Sequence, residues 1–368
     1  MKMTLLALGT RSAGPIYSFQ MAQALSRQKN VGLQIIISNE VDNMKSWVKE
    51  FQNNPKVSFH KIDTYKHNII SVIMSFLNPI KISKLIKLIN GYSPDVVYCP
   101  FGLMWSSIVF PFIQRAKIIT TIHDPHPYTH GYTLSQFLLA NVGFGGEKFV
   151  AGRIVLNNQD ADFVANKYNC KVAVIPHAAY NFYLPANYKN KETVSRKIAF
   201  IGRIDIYKGV DILVRAYKML KTEGVKLLIA GSGQIDDETM SIIKSDSNIN
   251  LLNRYIANEE IPTLMEDVDI VVLPYTNATQ SGVIPMAFAF GKTVIATNVG
   301  ALSEQVPYGT GILVEPEADS ISSAIDQMYN NEGRILAYSK NAKMYADKEL
   351  TWEHSADLLV KFAQSLLE

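Results

Sequence analysis

Short apolar runs alternate with stretches of helical spacing along nearly the whole chain. In the first half, Leu5–Leu8, Leu33–Ile37, Val96–Tyr98, Ile118–Ile122, Arg153–Leu156 and Val172–Ile175 read as strands. Between the first two, Ile16 to Leu25 places Tyr17, Met21, Ala24 and Leu25 on one helical face. A second series runs through Ile198–Ile201, Lys226–Ile229, Ile249–Leu252, Ile270–Leu273, Thr293–Ala296 and Ile312–Val314. Strands alternating with helices in this way predict an α/β fold with parallel sheets built from βαβ units. The polar stretch Asn181 to Arg196, with Pro185 and several Asn and Lys, separates the two series. The expected division is a first domain at 1–178, a linker at 179–196, a second domain at 197–350 and an amphipathic terminal segment at 351–368.

Length supports that division, since 368 residues suit two domains of roughly 150–200 residues. Cys99 and Cys170 are the sole cysteines, which leaves neither a disulfide framework nor a cysteine-based metal site. No run approaches the ~18–20 apolar residues of a membrane span. The opening apolar run is too short for a signal sequence and reads as the first strand, so a cytoplasmic location is expected.

Charge changes the picture more. Residues 1–178 carry 18 Lys and Arg against 9 Asp and Glu, and residues 179–368 carry 18 against 24, giving +9 and −6. The first half is thus suited to an anionic partner. No nucleic-acid module accompanies it. Between Ile80 and Ile89, Lys81, Lys84 and Lys87 fall on one side of a helix, with Ile82, Leu85, Ile86 and Ile89 on the other. Such a helix is either a core-packed element with a solvated lysine face or a peripheral contact with an anionic membrane surface.

Candidate chemistry concentrates in Phe200-Ile-Gly-Arg-Ile-Asp-Ile-Tyr-Lys-Gly-Val210, where a strand breaks at Gly202 and a helix follows Gly209. Arg203 and Lys208 sit in that turn. Backbone N–H groups at a helix start, beside fixed positive charge, suit a phosphate or diphosphate; the alternative is an ordinary βα turn with two solvated cations. The loop Gly9 to Tyr17 similarly opens a helix, and the amides of Ser12 or Gly14 can approach a phosphate or an acceptor closely. His123 and Asp124 stand at the C-terminal end of a strand, the edge where open parallel sheets bind ligands. His126 and His130 lie near without Cys or Glu at ligand spacing, so no metal site is expected. Asp267-Val-Asp269 runs straight into an apolar strand and reads as structural.

Four ordered pieces over about residues 197–310 resemble the retaining GT-B glycosyltransferases of family 4. The Gly202–Gly209 turn resembles that family's Gly-Arg…Lys-Gly segment, in which Arg and Lys grip the diphosphate of a nucleotide-sugar. Leu227 to Gly233 resembles its strand with Gly-x-Gly, here Gly231 and Gly233. Asp267 to Pro274 resembles its Asp-Ile-x-x-x-Pro strand, and Gln280 to Ala296 its donor-site helix and following strand. The resemblance is looser in the first half, where His123-Asp124 matches the family's His-Asp at the donor sugar. One departure stands out. The family's two Glu residues with seven between them fall here on Ala278 and Met286, so ribose recognition is in doubt. Gln280 or Asn277 offers an uncharged hydrogen bond to a sugar hydroxyl, the amides of Ser281, Gly282 and Val283 a site for diphosphate, and Ile256 a backbone contact for the nucleobase.

The resemblance implies two Rossmann-like domains facing a cleft, with the last helix crossing back to the first domain. It implies a metal-independent, retaining transferase that needs no cofactor besides its donor, with a UDP-sugar favoured. The acceptor is a saccharide or lipid-linked saccharide, and the expected setting is surface polysaccharide assembly. In this reading Arg203, Lys208 and His123 are the catalytic residues. Two rivals stay open: a nucleotide-sugar-binding protein without transferase activity, and another GT-B enzyme such as a phosphorylase or epimerase.

Overall fold

The computed structural model describes residues 1–10, 13–66, 69–126, 144–180, 183–185, 188–190 and 192–368. Contacts divide the chain into a unit of Met1–Pro176 with Trp352–Glu368, and a second of His177–Thr351.

The first unit is built on seven strands: β1 (Lys2–Ala7), β2 (Gly32–Ser38), β3 (Val57–Ile62), β4 (Val96–Cys99), β5 (Lys117–Thr121), β6 (Val150–Val155) and β7 (Lys171–Val174). All pair in parallel, in the order β3-β2-β1-β4-β5-β6-β7. Helices cover a parallel sheet on both faces, so its central strands are continuous apolar runs rather than alternating ones. Leu5, Ile35, Ile36, Val97 and Ile119 are accordingly buried. The helices used below are α1 (Ala13–Ser26), α2 (Met44–Phe51), α3 (Ile69–Phe76) and α4 (Pro79–Tyr92). The terminal helix Trp352–Ser365 packs on α1: the rings of Tyr17 and Trp352 meet edge-on at 4.9 Å, and the Gln28 amide donates to Asp357 at 2.7 Å.

The edge strand β3 was not expected from the sequence. Its half-buried Val57 and Phe59 alternate with polar residues and are followed by exposed Lys61, which blunts the strand signal. Lysine on an edge strand discourages pairing with other chains.

The second unit carries β8 (Lys197–Ile201), β9 (Lys226–Ala230), β10 (Ile249–Leu252), β11 (Ile270–Leu273), β12 (Thr293–Thr297) and β13 (Gly311–Val314). They too are parallel, in the order β10-β9-β8-β11-β12-β13. The stretch expected as a linker groups with this unit where it is described. Tyr188 donates its hydroxyl to the Phe290 carbonyl at 3.1 Å, and the Ser195 N–H donates to Asp269. Asp269 also accepts from the Lys197 N–H and the Tyr329 hydroxyl, which explains its burial and gives it a structural role.

Both sheets change winding direction once. After β3 the chain returns to the other side of β1, so loops following β1 and β4 diverge. After β10 it returns beside β8, and the loops following β8 and β11 diverge in the same way. A ligand crevice in an open α/β sheet forms at such a switch point, beyond the carboxyl ends of the strands.

Candidate functional site

In the second unit the switch point is lined by the Gly202–Gly209 turn after β8 and by Pro274–Val283 after β11. Glycine is required here because backbones touch. A Cβ on Gly231 would lie 1.7 Å from the Gly202 carbonyl oxygen, and one on Gly233 would lie 1.8 Å from that of Ile204. Gly209 (φ +65°) would place a Cβ 2.0 Å from the Pro274 oxygen. The closeness is used: Gly202 N–H donates to Ala230 O, Ile204 N–H to Ser232 O, and Thr276 N–H to Tyr207 O, at 2.8–2.9 Å. Three successive strand ends are thereby locked into one rigid rim.

Two cations stand on that rim. Arg203 is exposed, 3.3 Å from Asp205 and 3.2 Å from the Tyr207 hydroxyl. Lys208 is half-buried, with its ammonium over the ring of Tyr275 at 3.6 Å and that of Tyr207 at 4.9 Å. Burial pushes the Tyr275 phenol up to about 12, so the ring beneath the lysine is neutral. A cation over an aromatic face is held by the ring's quadrupole without being neutralised. The two rings thereby fix where the Lys208 ammonium stands. Sequence reasoning missed Tyr275, although its position directly after Pro274 at a strand end was a usable signal.

Side-chain amides brace the neighbouring loops. Asn253 accepts from the Gly233 N–H at 3.1 Å and donates to the Gly233 carbonyl at 3.0 Å. Gln305 brackets Ser281 in the same way, at 2.7 and 3.0 Å. Arg254 and Glu260 form a two-point ion pair, and Glu260 also accepts from the Ala257 N–H at 2.9 Å. Ile256 sits half-buried inside that closed loop.

The expected triple of amides at 281–283 needs correction. The Ser281 N–H is taken by Gln305 and the Val283 N–H by Ser281 Oγ at 3.2 Å. Gly282 is the one of the three whose N–H has no acceptor among the described residues. The helix that follows, Val283–Ala289, is short and its remaining residues are buried. Ala278 and Met286, the positions where the family resemblance places Glu, are both buried. Gln280 differs: its Oε1 is buried without a hydrogen-bond partner. A buried acceptor left unpaired costs about 1–3 kcal/mol, which a ligand hydroxyl would recover.

The first unit's switch point has a different character. His123 follows β5 and lies flat on Phe101, with ring centres 3.8 Å apart. Tyr17 meets both rings edge-on, at 5.0 and 5.7 Å. Gly14, at the start of α1, faces the same Phe101, 3.5 Å from where its Cβ would stand. His123 Nε2 donates to the Pro100 carbonyl at 2.9 Å, which leaves Nδ1 as the acceptor nitrogen. Burial pushes this imidazole down to about 4, against smaller opposing effects of that carbonyl and of Asp124. His123 is thus neutral at pH 7.

Of the remaining sequence candidates, His126 donates from Nε2 to the buried Asp160 carboxylate at 3.0 Å, while Ser12 and His130 lie outside the described residues. His177 is bonded through both ring nitrogens, to Ala178 O and the Tyr180 hydroxyl, and packs beside Gly282. Among the described residues no group of three or more His, Cys, Asp or Glu is placed to hold a metal ion. The lysine face of α4 is split: Lys84 and Lys87 are exposed, whereas Lys81 turns inward, its Nζ 3.5 Å from the Thr64 carbonyl.

Residues 195–331 match the family model described as glycosyl transferases group 1. An uncharacterised glycosyltransferase of Methanocaldococcus jannaschii is 28% identical over 178 residues, 47% of this chain and 46% of that protein. A D-inositol 3-phosphate glycosyltransferase of Rhodococcus jostii is 30% identical over 184 residues, 46% of this chain and 40% of its own length. The chain thus spans about half the length of the curated relatives it matches. Solved structures match throughout. HepE of Anabaena in complex with UDP superposes with a TM-score of 0.70 at 18% identity, covering 99% of this chain and 100% of that one. Sucrose-phosphate synthase of Thermosynechococcus elongatus gives 0.68 at 15% identity, covering 100% and 99%. The fold is GT-B: two Rossmann-like parallel-sheet units of seven and six strands.

Proposed function

We propose that this protein is a glycosyltransferase that moves a sugar from a nucleoside diphosphate to a hydroxyl of a saccharide or lipid-linked acceptor, with retention of configuration and without a metal. The observation that carries the reading is the β8 turn. It places Arg203 and Lys208 on a glycine-locked rim at the second sheet's switch point, inside the segment that matches the glycosyl transferase model. The HepE structure solved with UDP-glucose supports a nucleotide-sugar donor and favours UDP as its nucleotide.

Negative charge grows on the departing diphosphate as the glycosidic bond breaks. Cations already fixed at that point stabilise the transition state without reorganising, and here they take the place of a metal. The Gly282 N–H adds a hydrogen bond to the diphosphate, and the braced Ile256 loop receives the base. Gln280 Oε1 accepts from a sugar hydroxyl. In the first unit, His123 offers a sugar hydroxyl a neutral acceptor through Nδ1.

A second reading, binding without turnover, is favoured by the buried Ala278 and Met286 in place of carboxylates. Calorimetric titration with UDP-, GDP- and dTDP-sugars, paired with a donor-hydrolysis assay, separates the two. Binding with slow donor hydrolysis supports transfer. Binding with no turnover, even with membrane extract supplying acceptors, supports the second reading.

A further inference from the structure

We infer that α3 and the start of α4 form an interfacial anchor that inserts into an anionic lipid leaflet. The inference stands apart from the transferase reading, because it concerns a surface remote in sequence from the donor turn and needs no donor to be tested.

The starting observation is an inverted amphipathic helix. On α3 the inward side holds Val72 and Ser75, which are buried, and Ser75 Oγ accepts from the Trp105 indole at 2.9 Å. Phe76 packs partly against the core beneath. The outward side carries Ile70, Ile73, Met74 and Leu77, spaced i, i+3, i+4 and i+7, and Ile80 continues the line onto α4. These five side chains are between 53% and 79% exposed. Single exposed apolar residues are ordinary, but a contiguous stripe on a helix whose other side is already anchored marks an interaction surface.

Charge identifies the occupant. From residue 64 to residue 123 the chain carries Lys66, Lys81, Lys84, Lys87, Arg115 and Lys117 against a single acid, Asp95. That carboxylate is engaged by the Lys2 N–H at 2.7 Å. On α4, Ile80, Lys84 and Lys87 follow one another at i, i+4 and i+7, so the exposed lysines share the face that bears the apolar side chain. An apolar stripe bordered by lysines matches the boundary between acyl chains and anionic headgroups. A second copy of this chain fits worse, since a two-fold contact would set each lysine row against its own image. Among the described residues no helix is long and apolar enough to cross a membrane, so the contact is one of lying on the leaflet.

Vesicle flotation of the whole protein tests this, with phosphatidylcholine vesicles alone and with phosphatidylglycerol added. The wild type should float with the mixed vesicles and stay behind with the neutral ones. Lys84→Glu with Lys87→Glu should weaken partitioning about thirtyfold or more, from the contribution of each lysine near an anionic surface. Ile70→Ser, Ile73→Ser and Leu77→Ser together should abolish it while leaving the far-UV circular dichroism unchanged. Ile73→Trp provides an independent readout, because Trp47, Trp105 and Trp352 are all buried. Its emission should shift to the blue with phosphatidylglycerol vesicles and be quenched by brominated acyl chains. Wild-type protein that stays unbound, or an Ile73→Trp emission indifferent to lipid, overturns the inference. So does a wild-type dimer in sedimentation that the serine variants disperse without any vesicle binding, which would assign the stripe to a second copy.

Discussion

The two switch points share a topology and differ in everything else. In the second unit the rim is made of backbone: Gly202, Gly209, Gly231 and Gly233 let strand ends touch, and charge is added by Arg203 and Lys208. In the first unit the rim is made of rings, with Gly14 opening onto Phe101, His123 stacked on that ring and Tyr17 closing the edge. One suits an anion met by cations and amides. The other offers a neutral imidazole held among packed rings. Winding order fixes where a site can form, and side chains decide what it binds.

Filling a glycine separates the two rims most strongly. Gly231→Ala forces a Cβ into the Gly202 carbonyl, at a backbone angle of φ +154° that suits glycine. It should destabilise the second unit by about 4 kcal/mol or more, read as a collapse of the denaturation midpoint. Gly14→Ala meets an ordinary 3.5 Å contact and should cost little. Equal losses in the two variants would remove the contrast.

Next in size is Lys208→Ala. It should lower turnover by about 10²–10³-fold, the usual effect of removing one preorganised charge-stabilising group, with the thermal midpoint nearly unchanged. An unaltered rate would take the diphosphate away from this turn.

The aromatic rim is sharpened by pH. Burial holds the folded His123 pKa near 4, below the 6.5 of the free group, so the unfolded chain binds more protons between these values. Stability from this group is complete above about pH 6.5 and is lost as the pH falls towards 4, by about 3 kcal/mol at most. His123→Gln should flatten that slope in urea titrations at stepped pH. A slope unchanged by the substitution would mean the imidazole is not buried as described.

The smallest effect concerns the braces. Asn253→Ala and Gln305→Ala each remove a two-point bracket and should raise the donor KM several-fold to tenfold, with a smaller change in kcat. An effect confined to kcat would place these amides in the chemistry rather than in holding the loops.

Much of this was legible in the sequence because its signals are local. Central parallel strands announce themselves as apolar runs, Gly202 and Gly231 follow strand ends directly, Gly233 lies just beyond, and Gly209 directly precedes a helix. The edge strand β3 escaped because half its surface is wet and its apolar pattern correspondingly broken. Gln305 was invisible for another reason: its partner Ser281 lies 24 residues earlier, and neither neighbourhood marks the pairing. The same bracket accounts for the amide at 281 and the Ser281 hydroxyl for that at 283, since spacing shows a helix start and says nothing of which N–H groups are already taken. The outward stripe of α3 hid in plain view, because helical apolar spacing looks identical whether it faces a core or a membrane.

The central claim is that the β8 turn holds the diphosphate of a nucleotide. Isothermal titration of UDP into the wild type and into Lys208→Ala tests it without any need to know the sugar or the acceptor. The wild type should bind saturably and the variant at least tenfold more weakly, an effect that shrinks as salt is raised. Equal affinity in the two proteins would contradict it.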